Sequence, residues 1–221
     1  MLGIAGAALI VVLGAGAACA APVRGTLALP AELKSGRRYM GYWRVDNGNV
    51  PIAPAPHRPE TVVVLQGGKG EAPAAKTVTV EIVGLQVNPP LVVVGPGSVV
   101  ELRNQDKIPH DLSVPQDASV MPLQRLTPGG VRRQKFNQPG GYLVRSTDHP
   151  HVALSVVVVD SPHFDVAEEK GGFRIADAPD GKGTLKVWSH GRWVHEEPVE
   201  VAGRPLELKI KVRPAGGKEA E

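Results

Sequence analysis

Seven histidines and a single cysteine are the side chains of this 221-residue chain best suited to metal binding or nucleophilic chemistry. The cysteine, Cys19, lies within an N-terminal segment that we expect to be removed. Cleavage after Ala20 would leave a protein with no disulfide, no thiolate nucleophile and no cysteine ligand for a metal. Any functional site in the mature chain then has to work without sulfur nucleophiles.

Motifs typical of enzymes are absent from the sequence. It contains no Gly-x-Ser-x-Gly, no phosphate-binding loop and no His-Glu-x-x-His. Asp160, Ser161 and His163 have the residue types of a catalytic triad, but they lie too close along one chain segment to adopt triad geometry. His190 and His195 lie in a predicted hairpin, at a spacing that favours surface or edge positions over a zinc site. We expect a protein that is not an enzyme.

The first twenty residues are typical of a secretory signal peptide. Residues 1–20 contain no charged side chain, Leu9–Leu13 form an apolar centre, and Ala18-Cys-Ala20 is a small-x-small cleavage site. We expect cleavage after Ala20 and a periplasmic or secreted protein with no membrane span. The alternatives are an uncleaved membrane anchor and lipid attachment at Cys19.

The remaining composition predicts an all-β protein. Glycine (26 residues) and proline (21 residues) punctuate a valine-rich chain that is 42% hydrophobic and only 4% aromatic. Apolar and polar residues alternate along 77–83 and 206–213, which is typical of half-buried strands. The hydrophobic content argues against disorder, and a net charge of +3 is too small for a nucleic-acid-binding face. A small basic group around Arg132 and Arg133 is interpreted as a solvated strand face.

Residues 76–160 resemble a cupredoxin domain. The resemblance rests on Asn104-Gln-Asp-Lys-Ile-Pro-His110-Asp111 and on Pro139-Gly-Gly-Tyr-Leu-Val-Arg-Ser-Thr-Asp-His149-Pro-His-Val152. In cupredoxins, a strand and an Asn-x-Asp-like turn deliver a first histidine ligand. A later Pro-Gly-x-Tyr strand leads to a loop with a cysteine, a second histidine and an axial methionine. The resemblance implies that His110 and His149 occupy the two histidine positions, and the wider context is similar to periplasmic cupredoxin proteins of the methylamine-utilisation type.

Two ligand positions depart from this family. Ser146 stands at the cysteine position and Val152 at the methionine position. A blue-copper centre needs a thiolate, whose covalent bond to the metal tunes the potential, and a serine hydroxyl stays protonated near neutral pH. We therefore expect a degenerate copper site that does not carry electrons as blue-copper proteins do.

Two outcomes remain open for this degenerate site. In the first, the site is vestigial and binds no cofactor, and the protein is an exported, non-enzymatic binding or structural module for an unidentified periplasmic or cell-surface partner. In the second, His110 and His149 hold copper or zinc with help from His151. Asp111 and Asp148 would then orient the imidazoles by accepting hydrogen bonds from their outer nitrogens.

Residues 164–213 resemble the transthyretin-like or carboxypeptidase-regulatory-like β-sandwich. The segments that carry this resemblance are Gly171-Gly-Phe-Arg-Ile175, Asp177-Ala-Pro-Asp-Gly181 and Thr184-Leu-Lys-Val-Trp188. It implies a split domain, in which 21–70 supplies the early strands and 164–213 the late ones, around the cupredoxin-like unit at 76–160. A single continuous sandwich with extra strands is the alternative. We predict an all-β fold with a cupredoxin-like Greek-key sandwich, a smaller transthyretin-like sandwich and a disordered tail at 214–221.

Overall fold

The structure, a computed structural model, describes residues 21–30, 60–67 and 70–212. These residues form sixteen β-strands, and no helix occurs among them. The prediction of an all-β fold is therefore confirmed. In the same residues there is no helix long and apolar enough to cross a membrane. The predicted signal peptide and the predicted tail lie outside the described residues.

Most of the strands are short and are separated by turns, as the glycine and proline content predicts. In chain order they are β1 (Ala21–Ala28), β2 (Thr61–Gln66), β3 (Thr77–Val83), β4 (Gln86–Asn88), β5 (Leu91–Val94), β6 (Ser98–Asn104), β7 (His110–Ser113), β8 (Gln124–Leu126), β9 (Val131–Phe136), β10 (Gly140–Ser146), β11 (Ala153–Val158), β12 (Phe164–Val166), β13 (Gly172–Ala178), β14 (Gly181–Ser189), β15 (Arg192–Val201) and β16 (Leu206–Lys211).

The strands form four sheets that pack face to face in one stack. Sheet 1 has the order β13-β1-β16, sheet 2 the order β12-β2-β14-β15, sheet 3 the order β5-β11-β10-β7-β8, and sheet 4 the order β4-β3-β6-β9. One buried apolar cluster joins sheets 1 and 2, another joins sheets 2 and 3, and another joins sheets 3 and 4. Sheets 1 and 2 thus form a sandwich built from both ends of the described chain, and the strands between those ends form the second sandwich from sheets 3 and 4.

Continuous valine runs mark the strands that are covered on both faces. In β2, Val63 and Leu65 face the core between sheets 1 and 2, whereas Val62 and Val64 face sheet 3. In β11, Val156 lies in the core between sheets 3 and 4, and Val157 lies in the core shared with sheet 2. Successive side chains of a strand point to opposite faces, so a strand buried on both faces must be apolar throughout. The alternating strands β3 and β16 instead lie in the two outer sheets and face solvent on one side.

The two sandwiches meet at a close contact between Trp188 of β14 and Gly141 of β10. Trp188 is 2% exposed and packs in the apolar cluster that joins sheets 2 and 3. A Cβ atom at position 141 would lie 2.1 Å from the Trp188 ring, so the indole occupies the space that any larger residue would need. This contact fixes β10 against sheet 2, and β10 leads directly to the candidate site.

Candidate metal centre

A turn stabilised by Asn104 delivers His110 to the start of β7. The side-chain amide of Asn104 donates to the carbonyls of Ile108 (2.8 Å) and Leu126 (3.1 Å), and its side-chain oxygen accepts from the backbone N–H of Asp106 (2.9 Å). Asparagine is common in turns because its side chain can form such hydrogen bonds with nearby backbone groups. His110 follows this turn and is completely buried.

Asp106 holds the outer nitrogen of His110. The distance from His110 Nε2 to Asp106 Oδ2 is 2.9 Å. The same carboxylate accepts from the backbone N–H groups of Gly84 (2.5 Å) and Leu85 (3.1 Å), so it is fixed by the β3–β4 turn. A carboxylate at Nε2 keeps the proton on that nitrogen and leaves the lone pair of a neutral imidazole on Nδ1.

The second histidine is positioned by the pairing of β10 with β7. Arg145 pairs with Ser113 and Ser146 with Leu112. Thr147, the first residue after β10, donates its N–H to the carbonyl of Asp111. Continuing this antiparallel register places the residues that follow Ser146 beside His110. The loop that contains His149 closes on itself, because Ser146 N donates to the Val152 carbonyl (3.0 Å) and Val152 N donates to the His149 carbonyl (2.8 Å).

Three imidazoles come together at this end of sheet 3. The ring centroids of His110 and His149 are 5.3 Å apart, and those of His149 and His151 are 6.0 Å apart. Nδ1 of His110 and Nδ1 of His149 are both buried without a hydrogen-bond partner. Burial lowers the pKa of His151 below its ordinary value, and the nearby rings of His149 and His110 lower it further. The environment of His151 thus favours the neutral imidazole, which is the form that binds metals.

Ser146 and Val152, at the positions where the resemblance expects a cysteine and a methionine, are buried beside these rings. Ser146 is 1% exposed, and its hydroxyl oxygen accepts from the backbone N–H of His149 at 3.3 Å. Val152 is 1% exposed and packs in the core between sheets 3 and 4. Neither side chain supplies sulfur. Among the described residues, no group of three or more histidine, cysteine, aspartate or glutamate side chains is arranged to hold a metal ion.

The aspartate at His110 differs from those expected from the sequence. Asp111 Oδ1 lies 3.3 Å from Arg125 Nε, on the neighbouring strand β8. Asp148 is exposed. Asp106 takes the orienting position at His110 that the sequence analysis gave to these two residues. Its sequence signal is the Asn104-x-Asp106 turn, with the aspartate four residues before the histidine.

Of the other histidines that the structure describes, His190 and His195 each lie beside a glutamate, whereas His163 Nε2 is buried without a hydrogen-bond partner. His190 Nε2 is 2.5 Å from Glu60 Oε2, and its Nδ1 is 2.8 Å from the hydroxyl of Ser189. His195 Nε2 is 3.2 Å from Glu197 Oε2. His57 lies outside the described residues. The interpretation of the basic group as a solvated strand face is wrong for Arg132. This residue is only 8% exposed, and its guanidinium donates to the backbone carbonyls of Leu112 and Pro122.

Comparisons with known proteins give a partial likeness to copper proteins. No protein-family model matches the chain, and no curated protein matches it. Amicyanin from Paracoccus versutus is 20% identical, with a TM-score of 0.35 over 44% of this chain and 97% of amicyanin. A copper-containing nitrite reductase from Thermus scotoductus SA-01 is 27% identical, with a TM-score of 0.34 over 42% of this chain and only 24% of the reductase. The structure itself defines the class as an all-β protein of two packed sandwiches.

Proposed function

We propose that this protein is an exported, non-enzymatic cupredoxin-like protein that binds a copper ion through His110 and His149, without a thiolate. The observation that carries the proposal is the pair of buried Nδ1 atoms with no hydrogen-bond partner, on two loops that the fold brings together. Leaving a buried polar atom unsatisfied costs about 1–3 kcal/mol. A metal ion bound between the two rings would satisfy both atoms at once.

The donor set decides which chemistry the site can support. Two imidazoles suit Cu(II), and they also suit Zn(II) when oxygen ligands complete the coordination. A copper ion bound there would lack the thiolate bond of a blue-copper centre and would therefore give weak visible absorption. The protein residues act by position: Asp106 keeps the proton of His110 on Nε2, and the closed loop holds His149 opposite it. His151 lies beside His149, with 6.0 Å between the ring centroids, and would have to move to supply a further nitrogen.

Metal titration of protein prepared without a histidine tag tests this proposal. We expect one equivalent of Cu(II) per chain in a competition titration against a coloured chelator. His149→Ala should abolish binding, and so should His110→Ala. His195→Ala is the matched control, because that histidine pairs with Glu197 on β15. His149 is only partly buried, so its variant keeps the test valid if His110→Ala does not fold. Absence of stoichiometric binding by the wild type would refute the proposal.

A second candidate is a site that has kept its shape and lost its metal. Two observations favour it: the lack of a three-ligand group among the described residues, and the use of the Ser146 hydroxyl in a loop hydrogen bond. In this case the Asp106–His110 pair serves to hold two loops together, and the protein is a binding or structural module. Circular dichroism melts of the same variants separate the two candidates, because here His110→Ala lowers stability although the wild type binds no metal.

Export is part of the proposal. Its support is the apolar segment and the small-x-small site before Ala21. Mass spectrometry of the secreted or periplasmic fraction should give a mature chain that begins at Ala21. A retained Met1, or a lipid on Cys19, would contradict this.

A further inference from the structure

An open cleft of about 110 Å³ lies where the edge of sheet 2 meets sheet 3. One wall is formed by β14 and β15, and the other by the Pro139-Gly140 turn and the end of β11. The apolar cluster shared by sheets 2 and 3 ends here, so the cleft has an apolar floor and an open mouth. It lies at the opposite ends of β10 and β11 from the loop that carries His149 and His151.

Trp193 of β15 presents an aromatic surface to this cleft. It is 39% exposed and is the sole aromatic among the large hydrophobic side chains exposed in the described part of the chain. Its ring packs at 73° against Trp188, with 5.5 Å between the centroids, and Trp188 is itself fixed against Gly141. An indole supported in this way keeps its orientation and loses little conformational entropy when a ligand stacks on it.

Polar groups flank the indole in the cleft. Gln66 Nε2 donates to Asp160 Oδ1 at 2.9 Å, which leaves Gln66 Oε1 and Asp160 Oδ2 available as acceptors. The ammonium group of Lys186 lies over the Trp193 ring, 6.0 Å from its centroid, and 3.4 Å from Glu196 Oε2, so a ligand that stacks on this face displaces the flexible lysine side chain. The cleft therefore offers one aromatic surface with hydrogen-bond acceptors and a cationic donor around it.

We propose that this cleft binds a single pyranose ring of a glycan, stacked on Trp193. A pyranose presents a face of C–H groups that packs on an aromatic ring, and its rim of hydroxyls both donates and accepts hydrogen bonds. The Gln66–Asp160 pair can accept from adjacent hydroxyls, and Lys186 can donate to a third oxygen. A purely aliphatic ligand would displace water from these charged groups without offering them hydrogen bonds in return. This site is independent of the proposed copper centre.

Ligand titration of the full mature protein tests the inference. The probes are methyl β-D-glucopyranoside, methyl β-D-galactopyranoside and N-acetylglucosamine, each followed by saturation-transfer NMR and by tryptophan fluorescence. We expect saturable binding of at least one probe with a dissociation constant in the millimolar range, and a loss of affinity of roughly tenfold or more in Trp193→Ala. Trp193→Phe keeps an aromatic surface and should lose less, whereas Asp160→Asn should weaken binding while leaving the stacking contact.

The matched control is Leu123→Ala, which removes another exposed hydrophobic side chain, 61% exposed, at the other sandwich. It should bind the probes as the wild type does. The inference is overturned if none of the three probes gives saturable binding at concentrations on the order of 100 mM. It is also overturned if folded Trp193→Ala and Trp193→Phe both bind with wild-type affinity.

Discussion

Substitution of Asp106 by asparagine is the sharpest test of the candidate metal centre. The carboxylate accepts from three donors: the N–H of Gly84, the N–H of Leu85 and Nε2 of His110. Asp106→Asn keeps the shape but replaces one acceptor oxygen by an NH2 group. If the NH2 faces Gly84, two donors oppose each other. If it faces His110, the imidazole must move its proton to Nδ1, the atom proposed to bind the metal.

The magnitude follows from burial. His110 is fully buried and the Asp106 side chain is 9% exposed, so solvent cannot replace the lost interaction. A hydrogen bond to a charged group contributes about 1.5–3 kcal/mol. We therefore expect the free energy of unfolding of the metal-free protein to fall by about 2 kcal/mol, which for a chain of this size lowers Tm by about 4–8 °C. Loss of an outer-shell partner of a metal-bound histidine typically costs about 10–100-fold in metal affinity.

Thermal melts of the metal-free protein and competition titrations with Cu(II) measure the two effects separately. Asp111→Asn and Asp148→Asn are matched controls, since each removes one negative charge next to a candidate histidine in sequence. Asp111 pairs with partly exposed Arg125 and Asp148 is exposed, so both variants should stay within about 0.5 kcal/mol of the wild type. Equal losses of copper affinity in Asp106→Asn and Asp111→Asn would refute the role given to Asp106.

Three further predictions concern the interface, the pH dependence and the ligand positions. Gly141→Ala should lower the free energy of unfolding by about 3 kcal/mol, because the new Cβ would lie 2.1 Å from the buried Trp188 ring. Gly172→Ala is the control, because its new Cβ would meet only the movable carboxylate of Glu168. Urea unfolding of both variants measures the difference. The pKa of His151 is lower in the folded protein than in the unfolded chain, so the unfolded chain binds a proton more readily. The free energy of unfolding should therefore decline as the pH falls from about 6.5 towards the lower pKa of the folded state. His151→Gln should remove this part of the decline in denaturant melts at several pH values, and an unchanged profile would contradict it. The double change Ser146→Cys with Val152→Met should give intense blue or green colour with Cu(II), absent from the wild type, and a colourless but copper-loaded double variant would show that the ligand alignment is wrong.

The sequence predicted the strand pattern well where hydrophobic periodicity was strong. Alternation in β3 and β16 predicted strands with one solvent-facing side, and the valine runs of β2 and β11 predicted strands without indicating which sheets cover them. β15 was predicted only at its hairpin. Its sequence contains Pro198 and three glutamates, which are uncommon in the interior of a strand. It is an edge strand, where proline and charge are tolerated since one side has no strand partner.

The candidate site was predictable in part. Motif order was enough to bring His110 and His149 together, because His110 begins β7, His149 follows β10, and these two strands pair in register. The orienting aspartate was not predictable in the same way. The placement of Asp106 depends on the turn at Gly84, which lies 22 residues away and docks on the carboxylate. In the sequence, Asp111 is as good a candidate as Asp106, because it is adjacent to His110. In the folded strand β7, successive side chains point to opposite faces, so the Asp111 side chain points away from the His110 imidazole.

The packing and pairing of β10 position one side of this site. Gly141 is fixed by the Trp188 ring, six residues of β10 pair with β11, and Ser146 at the far end pairs with Leu112. The loop that begins at Ser146 is then closed by its own backbone hydrogen bonds. Strand pairing and these loop hydrogen bonds place the two imidazoles beside each other. A change at a ligand position alters what the site can bind while leaving the sandwich intact, so the scaffold by itself does not reveal the chemistry. The side chains at 146 and 152 decide it, and neither Ser146 nor Val152 offers the sulfur that a blue-copper centre requires.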